Sequence, residues 1–260
     1  MDKHEDVIVT YEKEIVKIKF NRPKQLNALN ENIRSVIAST LNELMERPDI
    51  RLLVFSGEGK SFCSGADLKT TSYPKVEGDW STRRNLTATW QRLLEQLDRI
   101  PQVSIESIQG HVIGGGALLA TACDFRIITK DTIFRIPELS LGIPNVWNGT
   151  PLLAREVGLP VTRDWVMTAR KVYADELMRA HWAQRCAEEG DLGQATETLI
   201  GELLKMPAAP LALTRGMTSS LGRGKSGMQL GWADADLQQW ALNEDEYRAA
   251  VEAYLTAMPK

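Results

Sequence analysis

The hydrophobic pattern of this chain changes period repeatedly, from two to about 3.6 and back, and glycine or proline marks most of the changes. A chain written this way is neither all-helical nor all-β; strands and helices in alternation around a buried sheet, an α/β fold, are what it specifies. Residues 7–20 read as two strands, with Val7, Val9 and Tyr11 alternating, Glu12-Lys13-Glu14 as the turn and Ile15 to Phe20 as the return. Asn21-Arg22-Pro23 ends that hairpin, since proline cannot extend a central ladder. From Asn30 to Arg47 the period becomes helical, with Ile33, Val36, Ile37, Leu41, Leu44 and Met45 on one face and Pro48 closing the run. A strand at Leu52 to Phe55 and the loop Gly57-Glu58-Gly59 follow.

The same alternation continues. One amphipathic helix carries Leu86, Trp90, Leu93, Leu94 and Leu97, and Pro101 stands after it. Val103 to Ile108 reads as a strand, Gly114 to Ala122 as a helix of small residues, Phe125 to Ile128 as a strand and Thr150 to Val157 as a helix. Beyond about residue 195 the pattern is largely helical, with Gly222 to Gly227 as a flexible loop. No internal repeat is visible.

Composition narrows the class. Among 260 residues, 43% are hydrophobic and 25% charged, which excludes disordered, collagenous and disulfide-scaffold chains. The net charge of -3 supplies no field for nucleic acid. Cys63, Cys123 and Cys186 are odd in number and widely spaced, as expected of a reducing, cytoplasmic compartment rather than of a zinc site. The charged N-terminus shows no secretory signal, and the weakly polar run His111 to Cys123 is too short to span a bilayer. A soluble cytoplasmic protein is the expectation.

Several tempting motifs fail on spacing. Gly59-Lys60-Ser61 resembles the end of a phosphate-binding loop, but Val54 stands where the motif needs glycine. Gly114-Gly115-Gly116 lacks the dinucleotide spacing, the three histidines are scattered, and no G-x-S-x-G is present.

Two glycine-bearing turns carry more. Ser61 to Leu68 and Gly110 to Gly116 each follow an apolar strand and each offers unpaired backbone N–H groups. Two such groups converging on one point would form an oxyanion hole; taken singly, either turn reads more readily as a tight packing turn, and it is the pair that favours the hole. With Asn21 to Leu29, Ser61 to Leu68, Gly110 to Ile127 and Pro137 to Gly142 in this order, the chain resembles the crotonase (enoyl-CoA hydratase/isomerase) superfamily over nearly its whole length.

That resemblance implies a spiral of repeated ββα units over residues 1–195, with a helical region, 196–260, used in trimer assembly, as a homotrimer or a dimer of trimers. It implies an acyl-CoA ligand, coenzyme A entering as part of the substrate with no separate cofactor and no metal. The oxyanion donors would be the N–H groups of Ala66 and Gly115. Lys24, Leu26 and Ala28 match the segment that contacts the nucleotide, with Ala66, Asp67 and Leu68 beside it. Hydratases of this family usually carry a glutamate two residues beyond the glycine triplet; this chain has Leu118 there. The second glutamate of the pattern is present as Glu138. One base beside an oxyanion hole suits a double-bond shift, and the family's Δ3,Δ2-enoyl-CoA isomerases resemble this layout.

The remaining candidates are Trp147, which either lines the acyl pocket or fills core space, and Tyr73, Trp80 and Arg83-Arg84 in the stretch 70–90 that often shapes that pocket. Asp67 is expected to bond local backbone and Asp124 to be structural; Glu106, Ser64 and His111 receive no role. Beside the isomerase stand other reactions of the same hole (hydration, decarboxylation, thioester hydrolysis) and a non-catalytic CoA- or RNA-binding homologue.

Overall fold

The computed structural model describes residues 2–4, 6–68, 79–226 and 234–257. The expected hairpin is present as β2 (Val7–Glu12) and β3 (Ile15–Phe20), preceded by β1 (Asp2–His4), with Lys13 in the left-handed region at the turn. Then come α1 (Glu31–Leu44), β4 (Leu52–Gly57), α2 (Trp80–Thr87), α3 (Thr89–Leu97), β5 (Val103–Ile108), β6 (His111–Ile113) and α4 (Gly115–Ala122). β7 (Phe125–Thr129) and β8 (Ile133–Arg135) lead into a 3-10 turn (Glu138–Leu141), α5 (Gly149–Thr168), β9 (Val172–Tyr173), α6 (Ala174–Arg179) and β10 (Arg185–Ala187). The later elements are all helical: α7 (Leu192–Leu204), α8 (Ala208–Ser226), α9 (Asp234–Asn243) and α10 (Asp245–Ala257).

The large sheet runs β1-β2-β3-β4-β5-β7-β10 and is parallel from β3 onward. A second layer is also paired in parallel, Leu29 with Ala66, Cys63 with Val112, and β6 with β8, while β9 joins β8 antiparallel. The chain therefore visits the large sheet, then the second layer, then a helix, and repeats: a spiral of ββα turns. Parallel strands covered on both faces read as continuous apolar runs, and all six residues of β5 are buried. Glu106 on β5 is the exception in kind. It is fully buried, with Cys123 Sγ donating to Oε1 at 3.2 Å and Oε2 without a partner, and burial pushes its carboxyl up to about 8.

Four local expectations need correction. Met45 is 51% exposed, because α1 ends at Leu44 and Met45 only caps it. The single helix expected through Leu86 and Leu97 is two, α2 and α3, and Leu86 is exposed. The break lies where the Thr87 hydroxyl stands within hydrogen-bond distance of the carbonyls of Arg83, Arg84 and Ala235, with one proton to donate among them, and Thr89 Oγ1 donates to Leu86 O, hydroxyl bonds that compete with the helical ladder. The helix expected to stop at Val157 breaks at Gly158 (φ 77°, ψ 162°), but helix resumes around Pro160 to Thr168. The loop expected from Gly222 is helical to Ser226, for α8 lies close on α5 there: a Cβ on Gly222 would stand 2.5 Å from Arg155 Cδ. Gly227 lies outside the described residues. Among the described residues no helix is long and apolar enough to cross a membrane.

Candidate active site

The second layer of the spiral sets two backbone turns side by side. Cys63 N–H donates to His111 O at 2.9 Å and Ile113 N–H to Cys63 O at 3.0 Å, so the turn after β4 is clamped to the turn after β5. Gly116 packs directly on Cys63, where a Cβ would come within 2.6 Å of Sγ. In the parallel bridge to Leu29, Leu29 N–H bonds Gly65 O (2.7 Å) and Asp67 N–H bonds Leu29 O (2.9 Å). Ala66, between them, turns its own N–H away from that strand. Gly115 is the first residue of α4, where N–H groups have no intrahelical acceptor. Among the described residues neither N–H is taken by a partner, and both residues line one cavity of about 770 Å³.

Glu138 lines the same cavity. It opens the 3-10 turn that Gly142, left-handed at φ 73°, closes. Its carboxylate lies over Gly114, whose φ of 50° and ψ of -123° favour glycine; a Cβ there would stand 2.8 Å from Oε1. Oε2 is buried and has no hydrogen-bond partner. Burial pushes the carboxyl up to about 7, against the pull of a backbone N–H and the Arg135 charge.

The apolar wall comes from α4 and the loop before α5. Leu118, 2% exposed, lies one turn along from Gly115 and packs on Gly149. Trp147 and Asn148 are both left-handed (φ 59°), a strained pair for non-glycine residues. That geometry carries the Trp147 ring onto Gly115, 2.5 Å from where a Cβ would be, and stacks it on Trp90 (5.3 Å, 16°). The indole thus fills core and lines the cavity together. Its Nε1–H donates to Gln238 Oε1 at 3.1 Å.

Lys24, Leu26, Ala28 and Leu68 also line the cavity, joined by Lys60. Leu26 and Asn27 are left-handed, and the buried Asn27 amide donates to Glu58 O and Ser61 O, so the segment is held in a fixed loop. Asp67 lines the cavity. Its carboxylate is 2.7 Å from the Arg22 guanidinium, which also donates to Ala28 O and pairs with Asp6. The Leu29–Ala66 bridge carries residue 67 back beside residue 22. Ser64 lines the cavity and donates to Gln25 O, whereas His111 Nδ1 is bonded with Ser61 Oγ outside it. Asp124 Oδ2 accepts from Ser104 and Arg215 and is structural. Tyr73 lies outside the described residues. Of the rest of that stretch, Trp80 is 61% exposed with Arg84 over its ring, and neither it nor Arg83 lines the cavity. Gln238 and Tyr254, which do, lie on α9 and α10; the helical pattern there holds no signal that would have singled them out.

A family model described as enoyl-CoA hydratase/isomerase matches residues 10–259 of this chain. The chain belongs to the enoyl-CoA hydratase/isomerase family. Among relatives of this family, the "Probable enoyl-CoA hydratase echA8" of Mycobacterium bovis is 31% identical over 226 residues, 85% of this chain and 86% of that one. The mitochondrial Delta(3,5)-Delta(2,4)-dienoyl-CoA isomerase of Mus musculus is 29% identical over 192 residues, 71% of this chain and 59% of that one. The crystal structure of an enoyl-CoA hydratase/isomerase from Mycobacterium paratuberculosis shares the crotonase fold at a TM-score of 0.87, covering 97% of this chain and all (100%) of that one at 17% identity.

Proposed function

We propose that this family member is an enoyl-CoA isomerase, moving a double bond between the 3- and 2-positions of an acyl-CoA thioester with Glu138 as its base and acid. The observation that carries the reading is the pairing of a buried Glu138 carboxylate, whose Oε2 has no hydrogen-bond partner, with an apolar Leu118. Asp67, the other carboxylate lining the cavity among the described residues, is paired with Arg22. With the thioester oxygen held by the Ala66 and Gly115 N–H groups, charge developing on that oxygen is stabilised and the α-carbon is acidified. Glu138 takes the α-proton to give a dienolate, then returns the proton at the γ-carbon. A carboxyl near neutrality can do both steps, since it is neither too weak a base nor too weak an acid. Leu118 keeps water from the intermediate.

The coenzyme enters as part of the substrate. Lys24 would pair with a phosphate, main-chain groups at Leu26 and Ala28 would read the adenine edge, and Asp67 and Leu68 continue that wall. The helices from α7 onward would serve trimer assembly.

A hydratase is the second reading, favoured by the name of the mycobacterial relative. Incubation with 3-hexenoyl-CoA and with crotonyl-CoA separates the two. Conversion of the former to the 2-enoyl thioester, with negligible hydration of the latter, is the expected result; rapid hydration of crotonyl-CoA would replace this reading with the second.

A further inference from the structure

The cavity holds a polar group that a double-bond shift does not use. Gln238, on α9, is 3% exposed and lines the cavity beside Trp147. An indole nitrogen is only a donor, so the hydrogen bond from Trp147 fixes the amide: Oε1 faces the indole and the NH2 faces away. Among the described residues no acceptor takes a hydrogen bond from that Nε2. The side chain is buried, and the cavity it lines is the open space beside it. Trp147 spans from this amide to the oxyanion turn, with the edge of its six-membered ring on Gly115 and its Nε1 edge on Gln238. The donor therefore stands about one indole away from the place proposed for the thioester carbonyl.

A donor on a cavity wall loses its water when a ligand fills the cavity, and a site built around one selects ligands that supply the acceptor. An alkyl chain would leave the Gln238 NH2 unpaired. A distal carboxylate would meet a neutral amide, since the cations that line the cavity among the described residues, Lys24 and Lys60, belong to the loops around residues 23–28 and 60. We propose that the acyl group carries a neutral acceptor oxygen, a ketone or hydroxyl several bonds beyond the thioester carbonyl, that accepts from Gln238 Nε2. This rests on the reading of the cavity as an acyl-CoA site.

The test is calorimetric binding of hexanoyl-CoA, 4-oxohexanoyl-CoA, 5-oxohexanoyl-CoA and 5-hydroxyhexanoyl-CoA. At least one oxygenated thioester is expected to bind roughly tenfold or more tightly than hexanoyl-CoA, the keto and hydroxy arms separating the two acceptors. In Gln238→Met that ratio falls to about one. In Trp147→Phe, where nothing fixes the amide, it falls part-way, a response that loss of shape alone would not give. Should Gln238→Met not fold, the wild-type ratio and Trp147→Phe still decide. Hexanoyl-CoA bound as tightly as every oxygenated thioester overturns this inference and leaves the acyl-CoA reading standing, as does a ratio unchanged in Gln238→Met. Failure of all four thioesters to bind overturns the acyl-CoA reading itself.

Discussion

At Glu138 the backbone determines the chemistry. The carboxylate sits where it does because Gly114 has no side chain to displace it, and it is near neutrality because burial disfavours its charged form. As a base it must be ionised. The proposed isomerisation therefore slows as pH falls through about 7, and kcat/KM plotted against pH should show that single limb on the acidic side. A profile flat from pH 5 to 8, on the order of the three units a glutamate so placed would dominate, would remove Glu138 from the proton transfer. These residues were legible in the sequence because each sits in a short local motif: Ala66 next to Gly65, Gly115 in a glycine triplet, Glu138 after Pro137. Gln238 was not. Its significance comes from a contact with a residue far away in the chain, and nothing in its own helix announces it.

At the scale of elements, the parallel strands and α1 follow from hydrophobic period alone, whereas the break between α2 and α3 depends on two threonine hydroxyls whose bonds no period encodes. The docking of α8 is similar. Arg215, 5% exposed, donates to the carbonyls of Leu97, Asp98 and Ile100 at the end of α3 and pairs with Asp124 at 3.1 Å. One arginine thus satisfies helix-end carbonyls that would otherwise be buried without donors. Removing it leaves a carboxylate and several carbonyls uncompensated, and Arg215→Met should cost about 3 kcal/mol or more in urea unfolding. A loss within about 0.5 kcal/mol, the range of ordinary surface substitutions, would mean that α8 is held by its apolar contacts alone.

For the whole molecule, the ββα spiral explains why a site with so few proposed catalytic groups needs a large fold. The second layer brings Leu29 beside Ala66 and Cys63 beside Val112, and only the repetition of the turn does that. The sheet also buries a carboxyl with no evident partner for Oε2. Glu106 holds its proton to about 8 in the folded chain but to about 4.5 when exposed. Between those values the native state binds the proton that the unfolded state has lost, so this contribution to stability is intact at acidic pH and is lost as pH rises. The slope is up to ~1.4 kcal/mol per pH unit for one group. Glu106→Gln should therefore flatten the fall in Tm between pH 5 and 8, on the order of the interval that one such titration spans. An unchanged slope would mean that Glu106 is ionised in the native protein.

The central claim is that Glu138 moves the α-proton of a bound thioester, and exchange of that proton with solvent measures it directly. Wild-type protein and Glu138→Gln are incubated with an acyl-CoA in deuterated buffer, and deuterium at the α-carbon is followed by mass spectrometry while thioester binding is measured alongside. Exchange in the wild type and its loss by about 100-fold or more in the variant, with binding retained, is the expected result. Exchange at the wild-type rate in Glu138→Gln would contradict the account.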